Sequence, residues 1–166
     1  MSRVPLSLRP DLPPLARAGT VYVAAHVVSD VAGARNALPP DQIDALLGAA
    51  RRAGWSVNLL DANPRKLIVT FDDGRAFPDA LADVLDAHDA TAVFFACTAE
   101  RIASYPDAPL YGAFTTANRA YVLARHVVGG HTDAHTHLGR LPAEAQEGEL
   151  AASAERFADV FGFRPR

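Results

Sequence analysis

The chain has 166 residues, with 16 Lys or Arg against 19 Asp or Glu, which gives a formal net charge of −3 at pH 7. A chain of this length can bury a core as one domain. Its small negative charge and scattered basic residues argue against a nucleic acid or an anionic membrane surface as a partner. The single cysteine, Cys97, excludes an internal disulfide framework, so nothing points to an oxidising compartment.

The N-terminal segment is rich in proline, and we interpret residues 1–19 as a poorly ordered arm. It has no continuous apolar stretch of the kind found in signal peptides, and no run of about eighteen apolar residues occurs anywhere in the sequence. The sequence as written therefore predicts a cytoplasmic protein without a membrane segment. An extracytoplasmic location is expected only if a further N-terminal segment belongs to the protein.

The first predicted elements are a strand, a loop and a helix. Residues 20–28 are almost continuously apolar and rich in β-branched side chains, which predicts a buried strand. Residues 29–40 are predicted as a loop. A helix follows over residues 41–53, with Asp41 as its N-cap and Gly54 just beyond its end.

The rest of the chain continues to alternate strand and helix. Buried strands are predicted over residues 66–71, 92–97 and 127–130, and helices after Pro78, over 116–125 and over 142–161. On the last helix, Leu150, Phe157 and Phe161 are expected on one apolar stripe. Continuously apolar strands that alternate with helices are typical of a parallel sheet or barrel, in which chemistry takes place at the C-terminal ends of the strands.

Two adjacent carboxylates, Asp72 and Asp73, follow the strand at residues 66–71 and precede Gly74. Neighbouring carboxylates are costly to hold together unless a cation lies between them or one is protonated. The glycine allows a sharp turn and leaves room for a ligand. An ordinary turn, whose carboxylates cap the next helix, is the alternative, and the motif taken alone favours it.

Three histidines, His131, His135 and His137, follow the Gly-Gly end of another predicted strand. Histidines four residues apart project to the same side of a helical turn, so two imidazoles can meet one metal ion. The alternative is that they are exposed or structural, but three within seven residues favour a metal site.

The two clusters together predict a catalytic metal site. One carboxylate and two imidazoles supply three protein ligands and leave a fourth position open for water, as in catalytic zinc sites. The metal would lower the pKa of that water, and the second carboxylate could accept its proton. A divalent ion is expected, with zinc first, although the same donors suit cobalt, nickel, iron or manganese.

With both clusters in this order, the sequence resembles the polysaccharide deacetylases with a NodB homology domain, the enzymes of carbohydrate esterase family 4. The TFDDG motif of that family is present at residues 70–74, and its H-[ST]-x-x-H motif at 131–135. Residues 91–95 are similar to its ATFF-type strand, and residues 23–30 to the YHRVSD-like strand of simpler bacterial members. The resemblance covers about residues 20–166 and implies an α/β fold, a distorted (β/α) barrel.

The resemblance also implies an activity, the hydrolysis of an acetyl group on a carbohydrate substrate. The N-acetyl group is the first expectation, ahead of an O-acetyl group. Asp72 would be the catalytic base. Asp73, His131 and His135 would bind the metal. The resemblance thus implies a hydrolase acting on a carbon–nitrogen bond that is not a peptide bond.

Other polar residues receive supporting or structural roles. Thr132 would brace the histidine loop, and Gly74 would support the first motif. His26 and His137 could contact the substrate or lie just behind the ligands, although a buried structural role for His26 and an exposed position for His137 are at least as well favoured. His126 is expected to cap a helix end as a cation.

The third to fifth motifs of the family, which include the base-orienting arginine and the acid histidine, have no complete counterpart in this sequence. The sequence therefore predicts an N-terminal portion of the fold, with about four strands in a domain over residues 20–166 that is incomplete at its C-terminus. Such a chain is expected to have little activity by itself.

Two alternatives stay open. The first is an amidohydrolase-type metallohydrolase with His135 and His137 as ligands, but too little sequence follows Leu138 to build that barrel. The second is a truncated, non-catalytic domain of the deacetylase type. The intact Asp72 and His131 argue against long-standing degeneration.

Overall fold

The computed structural model describes residues 19–29, 37–75, 77–98 and 116–165. Apart from Gly19, the predicted N-terminal arm lies outside these ranges, and the domain boundary stays a prediction. The strands and helices within them are, in order, β1 (Thr20–Ala25), β2 (Val27–Val28), β3 (Ala37–Leu38), α1 (Pro40–Arg52), β4 (Lys66–Phe71), α2 (Asp79–Ala87), β5 (Val93–Ala96), α3 (Thr116–Arg125), β6 (Val127–Gly130) and α4 (Ala143–Phe161).

Four strands form one parallel sheet in the order β1-β4-β5-β6. Phe71 pairs with Phe94, and Phe94 pairs with Val128, so the carboxyl ends of β4, β5 and β6 lie side by side. Helix α2 connects β4 to β5, and α3 precedes β6, as expected for crossovers between parallel strands. This arrangement confirms the predicted α/β fold class and the prediction of about four strands in the sheet.

The core lies mainly on one face of the sheet. Side chains alternate between the two faces along each strand, so neighbouring residues enter different clusters. The larger cluster joins Phe71, Phe94 and Val128 to buried side chains of all four helices. The smaller cluster, on the other face, contains Ile68 and Val93. None of the described helices is both long and apolar enough to cross a membrane.

The prediction of one buried strand over residues 20–28 is wrong in two respects. The strand breaks at His26 into β1 and β2, and β2 pairs with β3 in a separate small sheet, although residues 29–40 were expected to be loop. In β1, Val21 and Tyr22 are 43% and 41% exposed. The reason is position, because β1 has a neighbour on only one side within the described residues.

Two details of the helices also differ from the prediction. Helix α1 has Pro39 at its N-cap, and Asp41 lies inside the first turn, where its Oδ1 accepts a hydrogen bond from the N–H of Gln42 at 2.8 Å. On α4 the buried stripe is Ser153, Phe157 and Phe161, while Leu150 is 51% exposed. Phe157 packs against Phe161 and Phe163, and Leu150 lies outside this core cluster.

His126, predicted to be a charged helix cap, is instead buried and neutral. Its Nδ1 accepts a hydrogen bond from the Ala92 N–H at 3.3 Å, and its ring lies against Tyr121 and Phe94. Burial lowers the pKa of His126 to about 4, with a smaller opposite effect from Asp86 and a smaller lowering effect from Arg125. Protonation would put a hydrogen on Nδ1 and break the bond to Ala92.

This burial predicts a pH-dependent stability. Because the unfolded chain takes up the proton first, the free energy of unfolding should fall as the pH drops from about 6.5 to about 4, by at most about 3 kcal/mol. His126→Asn should remove this component of the slope, since its amide oxygen can still accept from Ala92 and does not titrate. Urea denaturation at several pH values measures the effect. Equal slopes in the two proteins would contradict the prediction.

Candidate active site

The two polar motifs meet at the carboxyl edge of the sheet. Asp72 and Asp73 directly follow β4, and His131 directly follows β6. The backbone continues the sheet bonding into both motifs, because Asp72 N donates to Ala25 O at 2.9 Å and His131 N donates to Ala96 O at 3.0 Å. The carboxyl ends of β4 and β6 lie on either side of β5 at this one edge of the sheet. The side chains that follow the two strands therefore come within contact distance, although the motifs are distant in sequence.

The first motif makes a tight left-handed turn. Asp73 has φ 73° and Gly74 has φ 71°. A Cβ added at Gly74 would lie 3.0 Å from Ala96 Cα and 3.1 Å from Ala96 Cβ, so only glycine fits against β5. Helix α2 begins later, and its N-cap Pro78 has no side-chain capping bond. The motif is thus a turn, as the alternative expected, but the Oδ1 atoms of Asp72 and Asp73 have no hydrogen-bond partner among the described residues and so do not cap α2.

Asp73, His131 and His135 form one compact group whose ligand atoms all lie within 4.8 Å of one another. Asp73 Oδ1 is 3.5 Å from His131 Nε2 and 3.2 Å from His135 Nε2. Asp73 is 1% exposed, and its Oδ1 has no hydrogen-bond partner among the described residues. A buried carboxylate oxygen is costly without a partner. The donor set and this oxygen both fit a divalent cation.

The two histidines do not converge by the helical spacing expected from the sequence. Residues 131–137 are neither helix nor strand, and Thr132 and His135 have left-handed φ values of 62° and 58°. Thr132 Oγ1 accepts a hydrogen bond from Thr136 N at 2.9 Å, which closes the loop internally. The imidazoles meet because the backbone reverses its path, so the helical argument was wrong although the pair it selected lies together.

Asp72 lies beside this group without belonging to it. Its Oδ1 is buried and has no hydrogen-bond partner among the described residues, and its Oδ2 is 3.9 Å from His26 Nε2. The His26 side chain is 45% exposed, so the buried structural role considered for it is wrong. Both residues line a small cleft together with Arg75 and Phe77.

Burial favours the neutral, ligand-competent form of the His131 imidazole. Burial lowers the pKa of His131 below its usual value, and the negative charges of Asp72 and Asp73 act in the opposite direction. Metal ions bind the neutral imidazole. Arg75, which the sequence analysis did not single out, places its Nε 3.7 Å from Asp73 Oδ2. Arg75 could have been identified from the sequence as a site residue because it directly follows the TFDDG motif.

Two other residues lie outside the group. His137 is exposed and precedes a short 3₁₀ helix, Leu138–Arg140. Cys97 is fully buried, and its Sγ donates to His131 O at 3.1 Å. Burial, reinforced by the charge of Asp73, raises the pKa of the Cys97 thiol to about 12. A thiol this weakly acidic is not a nucleophile at neutral pH.

Solved structures share this fold. The deacetylase PplD of Streptococcus pyogenes, solved with acetate, is 17% identical with a TM-score of 0.63, and the match covers 88% of this chain and 70% of that one. IcaB of Ammonifex degensii is 20% identical with a TM-score of 0.67, covering 89% and 72%. A polysaccharide deacetylase of Bacillus cereus is 20% identical with a TM-score of 0.65, covering 88% and 48%. A comparison with curated proteins found no match.

The family itself follows from the sequence match. Residues 60–166, more than half of the chain, match the model of the polysaccharide deacetylase family. The matched segment contains both motifs whose side chains meet at the sheet edge. The chain belongs to the polysaccharide deacetylase family, whose members are hydrolases of carbon–nitrogen bonds other than peptide bonds.

Proposed function

We propose that this chain carries the metal-dependent centre of a deacetylase that hydrolyses acetyl groups on a carbohydrate. The N-acetyl group is the first expectation for the group removed. The observation that carries this proposal is the buried Asp73 Oδ1, which lacks a hydrogen bond among the described residues and faces two imidazole nitrogens at 3.2 and 3.5 Å. Acetate, the product of such a reaction, is bound in the structure of the Streptococcus pyogenes deacetylase with the same fold.

Asp73, His131 and His135 would hold a divalent cation, for which zinc is the first expectation. When bound, the ion would supply Lewis acidity that polarises the acetyl carbonyl and acidifies the attacking water. The two imidazoles would bind through Nε2, the atoms that face the Asp73 carboxylate. The buried carboxylate would contribute its negative charge through Oδ1, which has no competing hydrogen bond among the described residues.

Asp72 would act as the general base. It is covalently adjacent to Asp73, yet its carboxylate lines the cleft and is not one of the three grouped ligands, so it can take a proton without leaving the metal site incomplete. Its side chain is 17% exposed, so water in the cleft can reach the carboxylate, which can accept that proton. His26, 3.9 Å from Oδ2 and partly exposed, would help to orient the carboxylate.

The ligand set can be tested by its metal content. The full-length protein should carry about one divalent ion per chain. His131→Ala should lose it, because one of three ligands is removed, and the matched variant His137→Ala should keep it, because His137 is exposed and outside the group. Metal analysis after gel filtration, with acetate release from N-acetylglucosamine oligomers as the activity measurement, reads both properties.

Each alternative gives a different pattern. Loss of metal in His137→Ala with retention in His131→Ala would support the amidohydrolase ligand set in place of this one. Retention of metal in both variants would reject the assignment. A stoichiometric metal in a full-length protein that releases no acetate from any N-acetylated sugar would indicate a non-catalytic domain.

A further inference from the structure

The loop that carries the two histidines is strained and needs external support. Thr132 and His135 both have left-handed backbone conformations without being glycine. Such conformations are unfavourable and persist where the surroundings over-determine them. The hydrogen bond from Thr136 N to Thr132 Oγ1 lies within the loop and cannot fix its position relative to the sheet. The position of the loop must therefore be set by contacts with neighbouring elements.

The first ligand is anchored by its own backbone. His131 N donates to Ala96 O at 3.0 Å, and His131 O accepts from Cys97 Sγ at 3.1 Å. Both contacts come from the end of β5. They fix the residue at which the loop begins. His135 lies four residues further along the chain, after the left-handed Thr132, and is itself left-handed. Its backbone also contacts the Cys97 thiol.

The middle of the loop is held at Asp133, two residues from each histidine. Its backbone is held on both sides, because Asp133 O accepts from Thr98 N at 3.0 Å and Asp133 N donates to Glu149 Oε1 at 3.3 Å. Thr98 follows β5, and Glu149 belongs to α4. The loop is thereby fastened to two different elements at one residue.

The side chain of Asp133 strengthens the same two connections. Its Oδ1 accepts from Thr98 Oγ1 at 2.8 Å, and its Oδ2 is 3.1 Å from Arg156 Nη1. Arg156 is seven residues after Glu149, which is about two helical turns, so both lie on one face of α4. The Asp133 side chain is 14% exposed while that of Arg156 is 59% exposed, so the bond to Thr98 is better shielded from water than the ion pair.

We propose that Asp133 is a positioning residue that sets the distance between the His131 and His135 imidazoles and so the affinity of the site for its cation. The inference rests on the metal site proposed above. Without the carboxylate, residues 132–135 would relax from their left-handed conformations, and the ion would have to reorder the loop when it binds. Residues that orient metal ligands from behind typically change affinity by about 10–100-fold when removed.

The test compares four proteins at full length: the wild type, Asp133→Ala, Asp133→Asn and Asp159→Ala. Asp159 is an exposed acid on α4, so its removal makes the same chemical change without touching the loop. Affinity for Co²⁺ is measured by competition with a chelator, and the geometry of the site by the visible absorption of bound Co²⁺. Asp133→Ala should bind about 10–100-fold more weakly with an altered spectrum. Asp133→Asn, which keeps one acceptor, should recover part of the loss, and Asp159→Ala should match the wild type.

The outcomes separate this inference from the proposed function. If the wild type binds Co²⁺ and Asp133→Ala binds it equally with an unchanged spectrum, the inference is overturned while the metal site stands. A wild type that binds no divalent ion overturns both. If Asp133→Ala does not fold by circular dichroism, Thr98→Val replaces it, because it removes only the hydroxyl donor to Oδ1. Weaker binding in Thr98→Val supports the inference, and unchanged binding overturns it.

Discussion

Asp72→Asn is expected to lower kcat for acetate release by about 10²–10⁴-fold in the full-length enzyme while leaving its metal content unchanged. Asparagine keeps the size of the side chain and its place in the cleft but cannot accept a proton from water. Asp72 is not among the three grouped ligands, so the metal site itself keeps its donors. The measurements are steady-state kinetics of acetate release and metal analysis of the same samples.

The neighbouring residue supplies the matched control. Asp73→Asn makes the same chemical change one position along the chain, but it removes the charged oxygen that faces both imidazoles. We expect this variant to lose the metal and the activity together. An Asp72→Asn enzyme with near-normal kcat would show that another residue is the base. Loss of metal in Asp72→Asn alone would show that Asp72, and not Asp73, binds the metal.

Gly74→Ala is expected to destabilise the protein by about 2–5 kcal/mol, from a left-handed residue that gains a Cβ and from overpacking against β5. The added carbon would approach the backbone Cα of Ala96 to 3.0 Å, where no flexible side chain can move aside. The strain falls on the turn that presents Asp73, so metal affinity should fall as well. Chemical denaturation and metal titration measure the two effects.

Gly54→Ala separates the two causes. Gly54 follows α1 with φ +79°, similar to the +71° of Gly74, but a Cβ there would meet nothing within 4 Å. Its replacement should therefore cost only the backbone term, about 1–2 kcal/mol, and leave metal binding unchanged. If the two variants were equally stable, close packing against Ala96 would contribute nothing and the explanation for Gly74 would fail.

Much of the fold and the grouping of the site residues could be predicted from sequence, because the signals were local. The predominantly apolar segment Lys66–Phe71 has the composition of a strand covered on both faces, and its bounds were predicted correctly. Parallel strands bring their carboxyl ends to one edge of the sheet, so motifs after β4 and β6 could be expected to meet. The ligand roles of Asp73, His131 and His135 stay predictions.

Other features depend on contacts between distant residues and had no local signal. The apolar composition of β1 says nothing about its place at one side of the sheet, which is why its exposure was mispredicted. The position of His126 after a helix predicted a cap, and nothing nearby in the sequence indicated that Phe94 and Tyr121 pack against its ring. Likewise, the support that Asp133 receives comes from Thr98, 35 positions earlier, and Glu149, 16 positions later.

The position of β5 between the two ligand-bearing strands has a further consequence. Asp73 and His131 are 58 positions apart in sequence, and their side chains approach only after β4, β5 and β6 have assembled in register. An ion bound there would act as a cross-link that closes a long loop, and it would favour the folded chain over the unfolded one by an amount that grows with the logarithm of the free ion concentration above the Kd. The supply of the cation would then set the fraction of chains whose sheet is folded, independently of any turnover at the site.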